Sequence, residues 1–447
     1  MSDLTLILTA IGSIALLLFL VMKVRLHAIV SLILVSMLAG LFSGMNPATI
    51  ADTIQKGMAG TLGFVAVVVA LGAMFGRVME ETGALDQIAH TLLGKFGHKK
   101  AHWAMSLTGF ICALPLFFDV AVVLLIGIAF AVVRKGGGSV MKIGIALLAG
   151  IAACQAFLIP APGPILVASQ LHADFGYMIL IGLLAGIPAM ILGGPIFGSY
   201  IAKKVHVELP EHEQADNQQR EGETIPSFAL SLSIVVFPLI LIGLKTIVSR
   251  FVDPNSSLHD WLTLLGHPFT AILLACLLAF YVLGVKRGIA NDKIMDICGS
   301  ALQPAGVIIL VTGAGGVFKQ VLIDSGVGAA LGNTLSGSGL PIVALAFILA
   351  AAVRVIQGSA TVAMLTACGL ITPMLTALHL DGAQLAAITI AIGGGAIVFS
   401  HVNDSGFWLA NRYLGLTEKQ TLQSWTIMET IIGTTGGIVA MLVSFFL

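Results

Sequence analysis

Apolar residues run along this chain in blocks long enough to cross a bilayer, with short polar punctuation between them. A helical span needs about 20 apolar residues. The pattern predicts spans near 4–22, 28–45, 61–80, 143–160, 176–200, 228–249, 267–285, 303–323, 385–400 and 425–446. Two apolar blocks do not fit: residues 103–133 are interrupted by Asp119 and residues 340–374 by Arg354. Each is too long for one crossing and too short for two comfortable ones. The first block has no basic residue before it and no small-residue cleavage signal, and Lys23 and Arg25 follow it. It is expected to be a retained span and not a signal peptide.

The two halves resemble each other. "HAIVSLILVSMLAG" from His27 aligns with "HPFTAILLACLLAF" from His267, "ETGALDQIAHTL" from Glu81 with "DSGVGAALGNTL" from Asp324, and "LVASQLHA" from Leu166 with "FWLANRYL" from Phe407. Offsets that stay between 240 and 243 residues point to an internal duplication, with a period too long for a solenoid. The two interrupted blocks fall at corresponding positions. If each is a re-entrant hairpin, every half crosses the membrane five times, an odd number, so the second half is inverted.

Composition agrees with a polytopic membrane protein: 57% of residues are hydrophobic and 10% charged, and the mean hydropathy is +1.03. Twenty-two basic residues balance twenty-two acidic ones, which gives no sign of a nucleic-acid partner. Their placement is informative. The inverted topology puts Lys23, Arg25, Arg77, Lys95, Lys99, Lys100, Arg134, Lys135, Lys142, Lys203, Lys204, Arg220, Lys286, Arg287, Lys293, Arg412 and Lys419 on one side of the membrane. Only Lys56, Lys245 and Arg250 fall on the other. The positive-inside rule makes the crowded side cytoplasmic and both termini external. The expected fold class is therefore an all-α polytopic membrane protein of two inverted-topology repeats. Residues 1–202 form the first half, with hairpin 103–133, broken helix 143–173 and span 176–200. Residues 203–226 form a polar cytoplasmic linker, and 227–447 the second half, with hairpin 340–374 and broken helix 385–413.

Non-helical backbone at membrane depth survives only where protein or a water-filled cavity surrounds it. Four such places are expected: hairpin tips at "PLFFDVA" (115–121) and "IQGSAT" (356–361), and helix breaks at "PAPGP" (160–164) and "HVNDSG" (401–406). The repeat aligns Pro162 with Asp404 and Gly163 with Ser405. Paired broken helices mark the midplane site of secondary transporters, where half-helix N-termini aim unpaired N–H groups at an anion. Arg354 adds a planar fork that matches a carboxylate. The candidate substrate-binding residues are Arg354, Gln357, Gly358, Ser359 and Thr361 at the second tip, Asp119 at the first, and Pro162, Gly163, Asn403 and Ser405 at the breaks. Asp404, Asp119 and His401 are the candidates for proton coupling. Asp404 is favoured, on the expectation that Asp119 is the partner of the arginine.

Plainer roles compete. In these, Arg354 is a structural arginine salt-bridged to Asp119 or Asp404, and His401 is a neutral histidine bonded to a backbone carbonyl. Arg77 and Lys319 are expected to snorkel to the interfaces. "GAGGVF" at 313–318 lacks a preceding strand and reads as close helix packing, not nucleotide binding. Ser359, His401 and Asp404 also allow an intramembrane hydrolase, although no nucleophile elbow or HExxH is present. A passive channel is a third class. The five cysteines have no metal-ligand spacing, so neither a disulfide nor a metal site is expected.

Five stretches together resemble the gluconate permease family of bacterial inner-membrane proton symporters: "GTLGFVAVVVALGAMFGRVMEETG" (60–83), "ALPLFFDVAVVLL" (113–125), "GAGGVFKQVLIDSGVG" (313–328), "RVIQGSATVAM" (354–364) and "SHVNDSGFWL" (400–409). The resemblance covers nearly the whole chain apart from the linker. It implies uptake of gluconate or a close sugar acid such as fructuronate or idonate, with the proton as coupling ion and no other cofactor. Another small organic anion or a D-amino acid is the alternative substrate. It also implies elevator-type motion. The moving unit would be about 103–173 and 340–413, and the spans 28–80 and 267–323 would form a scaffold and a homodimer interface.

Overall fold

A computed structural model describes residues 2–136, 139–207, 225–249, 251–327, 340–375, 378, 380–402 and 404–447. The described residues are helical throughout. The first half contains α1 (Asp3–Met22), α2 (Ala28–Phe42), α3 (Pro47–Glu81), α4 (Ala84–Phe96), α5 (Ala101–Cys112), α6 (Phe118–Gly136), α7 (Val140–Phe157), α8 (Pro162–Leu171) and α9 (Phe175–Ile201). The second contains α10 (Phe228–Val248), α11 (Ser257–Leu265), α12 (Pro268–Arg287), α13 (Asn291–Asp324), α14 (Ile342–Gln357), α15 (Ala360–Leu375), α16 (Gly382–Gly395), α17 (Ser405–Tyr413) and α18 (Glu418–Ser444). Among the described residues, seven segments are long and apolar enough to span a bilayer, which makes this a multi-pass membrane protein. Most of the expected linker, and Asn403, lie outside the described residues.

The helical ladder stops at the four places where breakers cluster: residues 113–117, 158–161, 358–359, and 396–402 with 404. Local chemistry fixes each restart. Pro162 occupies the first turn of α8, where a missing N–H costs nothing. Gly358 ends α14 at φ +86°, a left-handed conformation that a side chain resists. Asp404 caps α17, its Oδ1 accepting the Gly406 N–H at 3.0 Å.

Two differences from expectation concern length. The helices α3 and α13 have 35 and 34 residues where spans 61–80 and 303–323 were predicted. At 1.5 Å per residue each is about 50 Å long, more than the hydrocarbon thickness. The apolar window sees only the part in hydrocarbon, whereas the helix continues through polar turns that carry Asp52, Lys56, Asp292 and Lys293. The second difference is that α4 and α11 are short helices with no spanning block to announce them.

Extensive packing joins α3 to α13, and their glycines set its closeness. A Cβ on Gly316 would lie 1.9 Å from Thr61 Oγ1, and one on Gly313 2.4 Å from Met58 Sδ. Helix α7 is buried on nearly every side and packs against α5, α6 and α9. Helix α16 lies between α14 and α18. At the α16–α18 crossing, Cβ atoms on Gly394 and Gly433 would each meet the other's carbonyl oxygen, at 2.6 and 2.3 Å. This contact, about one turn beyond Glu429, draws the start of α18 against the break that precedes α17.

The two cations expected to snorkel are engaged within the protein. Arg77 pairs with Glu80 at 2.9 Å and Glu81 at 2.8 Å on its own helix. Lys319 on α13 donates its Nζ to the Gln170 carbonyl at 3.0 Å, at the C-terminal end of α8, where free carbonyls attract a cation.

Candidate functional site

The N-terminal turns of α6, α8, α15 and α17 converge on one cavity of about 310 Å³. Phe118 and Asp119 come from the first of these, Pro162 and Gly163 from the second, Thr361 from the third, and Ser405 and Gly406 from the fourth. Each helix start brings a positive dipole end, and four of them facing one space favour an anion there; Pro162 and Pro164 leave α8 only the Gly163 N–H in its first three positions, and Asp404 already accepts that of Gly406. The volume lies at the small end of ligand cavities, which run from about 300 to 1,000 Å³. Close contact between α8 and α15 helps to close it, since a Cβ on Gly163 would lie 2.5 Å from Met364 Sδ.

Arg354 enters this cavity from the last turn of α14 and is 2% exposed. Its Nη1 donates to the Gly358 carbonyl, and its Nη2 bonds Oδ2 of Asp404 in a buried ion pair. Its Nε has no partner. Ser400 donates its hydroxyl to the same Asp404 oxygen and accepts the Trp425 indole N–H at 2.7 Å. Thr426 adds a bond from its hydroxyl to the Ser400 carbonyl. A chain of bonds thus runs from α18 through the break to Asp404 and on to the guanidinium of α14.

The link between α5 and α6 is tied down differently. Gln155 on α7 donates both protons of its amide nitrogen, to the carbonyls of Ala113 and Leu116, each at 2.8 Å. These two carbonyls belong to the non-helical link between α5 and α6, and the amide replaces partners that a helix would have supplied. Asp119 follows the link and is exposed.

Among the residues singled out by sequence, Asp119, Pro162, Gly163, Arg354, Ser359, Thr361, Asp404 and Ser405 line the cavity together. Gly358 contributes through its carbonyl to Arg354. Gln357 is outside the lining, with a buried Oε1 that lacks a partner. His401 is also outside the lining, and its Nδ1 is buried and unpartnered. Asn403 lies outside the described residues. The partner of Arg354 is Asp404 and not Asp119, so the expectation that left Asp404 free of the arginine is corrected. The reason is topological: the break before α17 meets the last turn of α14, whereas Asp119 starts α6 on another wall. Four polar lining residues escaped the sequence reading, namely Gln155, Thr312, Trp425 and Glu429.

A second cavity, of about 720 Å³, lies at the other end of α8. Lys56, Lys245, Lys319, His172 and His267 give it a basic lining.

The family model for GntP family permeases matches residues 4–446. The chain is 59% identical to the low-affinity gluconate transporter of Escherichia coli K12 over 442 residues, 99% of each chain. It is 38% identical to the gluconate permease of Pseudomonas aeruginosa over 447 residues, 100% of this chain and 99% of the other. Among solved structures, the YdaH transporter of Alcanivorax borkumensis superposes with a TM-score of 0.61 at 15% identity, covering 89% of this chain and 88% of that one. At that identity the likeness is one of fold.

Proposed function

The chain belongs to the GntP permease family, and from that premise we propose that it carries gluconate or a closely related sugar acid across the bacterial inner membrane by proton symport. It is a transporter and not an enzyme: its relatives are named for transport, and His401 does not join Ser359 and Asp404 at the cavity. The observation that carries the reading is the convergence of four helix N-termini and one arginine on a single small cavity. A monoanion with several hydroxyls suits such a space, because N–H groups and the Ser359, Thr361 and Ser405 hydroxyls supply bonds while the guanidinium takes the carboxylate.

In the described state Asp404 occupies Arg354. We propose that the substrate carboxylate takes its place. A proton on Asp404 weakens the resident pair and so favours the exchange, and by linkage bound substrate favours the proton. Asp119, exposed at the cavity wall, remains a coupling candidate, and His401 reaches the site only through a rearrangement of the break.

The inverted repeats, the re-entrant hairpins, the external termini and the elevator motion belong to the same proposal. So does a homodimer formed by α2, α3, α12 and α13. They are supported by the recurrence of broken helices at corresponding places and by the seventeen-to-three division of basic residues. Purified protein in liposomes tests the function. Radiolabelled gluconate is expected to accumulate when the outside is made acidic, to be displaced by other sugar acids, and to leak back when a protonophore is added. Uptake that never exceeds equilibration would make the protein a channel.

A further inference from the structure

Three carboxylates and one guanidinium face this cavity: Asp119, Asp404 and Glu429 against Arg354. With all three acids ionised the site carries two net negative charges (one positive against three negative), and an organic anion would add a third. Their settings differ. Asp404 is compensated by Arg354, by the Ser400 hydroxyl and by the Gly406 N–H. Asp119 is exposed at the cavity wall and sits in the first turn of α6, where the helix dipole favours its charge. Among the described residues Glu429 has neither kind of support. It is 3% exposed, on the wall formed by α18, and among the described residues it makes no hydrogen bond and no ion pair.

The charged groups that act on Glu429 are Arg354 from α14 and Asp404 from the break before α17, and these two already neutralise each other. Across the cavity, α6 presents Asp119. Helix α7 contributes Ala152 and Gln155 to the lining, and residue 397 after α16 is an isoleucine. No free cation is therefore set against the Glu429 carboxylate among the described residues of the lining. An ionised, enclosed carboxylate without a partner is costly, and a second anion nearby makes it costlier. The neutral acid costs far less, and it can donate a hydrogen bond to a bound anion.

We propose that Glu429 is a proton-carrying group of the transport cycle, protonated while the anion is bound and deprotonated after the anion has left. The inference rests on the transport reading above and adds to it the group that holds the co-transported proton. The balance is simple: one proton joins the Glu429 carboxylate from the uptake side as the anion enters, and the same O–H bond breaks on the release side once the anion has gone. Arg354 and Asp404 handle the substrate carboxylate, whereas Glu429 handles the charge.

The test compares Glu429→Gln and Glu429→Asp with the wild type in liposomes, using gluconate as the probe. Glutamine keeps the shape and a hydrogen-bond donor, as the neutral acid does. Glu429→Gln is therefore expected to keep gluconate exchange at equal pH and to lose accumulation driven by a pH gradient. Glu429→Asp keeps a titrating group and is expected to retain accumulation, with a displaced pH profile of half-saturation. Gradient-driven accumulation by Glu429→Gln at the wild-type level would overturn the proposal. If the glutamine variant does not fold, the aspartate variant decides alone: a pH profile that coincides with the wild type's overturns the assignment. Wild-type liposomes that do not exchange gluconate at all would instead overturn the transport reading, a result separate from any behaviour of the variants.

Discussion

Arg354 already has a carboxylate bound to it, so on the proposed reading a substrate carboxylate must compete with a resident. Replacing it by lysine keeps the charge and removes the fork, with a loss of about 1.5–3 kcal/mol, roughly 10- to 100-fold in affinity. Half-saturation measured for Arg354→Lys should rise by that factor; an unchanged value would take Arg354 out of the site. Asp404→Asn should do the opposite to binding while harming the fold. It removes the competitor but leaves a guanidinium that is 2% exposed without its partner, a change that typically costs about 3–5 kcal/mol. Thermal unfolding in detergent should show a lowered midpoint for this variant and a larger rise on adding gluconate than the wild type shows. If protons on Asp404 and on Glu429 both favour the anion, as proposed, half-saturation in the wild type should fall as the pH on the substrate side falls. Arg354, Ser359 and Asp404 were legible in the sequence because each is a polar residue inside an apolar run. Glu429 carried the same signal, a lone acid in the apolar block 425–446, but a block that fits a single crossing drew no closer scrutiny. The choice of Asp404 over Asp119 as ion-pair partner was not legible, since it depends on which wall each break reaches.

At the level of elements, the breaks in the helices were legible because glycine and proline act locally. The breaks after α5 and α14 fall within a few residues of where they were expected. The supports of the breaks were not, because Gln155 and Trp425 act across chain separations that no local pattern encodes. The same holds for the contact between α3 and the link after α5. A Cβ on Gly76 would lie 2.1 Å from the Pro115 carbonyl oxygen, while Gly72, one turn earlier, has nothing within 4 Å. Gly76→Ala should destabilise the described arrangement by about 1–3 kcal/mol, and Gly72→Ala should be close to neutral. Unfolding midpoints of the two variants side by side check this; equal midpoints would mean that the link yields freely to the added methyl.

For the whole molecule, hydropathy and the repeat made the multi-pass, all-helical character legible, and the placement of lysine and arginine supplies the orientation to be tested. With the native cysteines replaced, single cysteines at Ser139 and Asn217 should react with impermeant thiol reagents only from the cytoplasm, and one at Ser256 only from outside. Labelling of Ser256 from the cytoplasm would break the inverted arrangement. Helix α8, meanwhile, has one cavity at its first turn and the other at its last, with exposed Asp119 in the first and exposed Lys56 and His172 in the second. Its ten residues make a partition about 15 Å thick. With water in both spaces, such a wall would focus the membrane's electric field, so that the voltage falls across one short helix and not across the full bilayer. Each net charge carried over it is then worth about 2.3 kcal/mol per 100 mV. A sugar-acid anion moving with one proton carries no net charge, and with two it carries one. If Glu429 is the sole carrier, uptake will be indifferent to an imposed potassium diffusion potential; acceleration by an inside-negative potential would count a second proton.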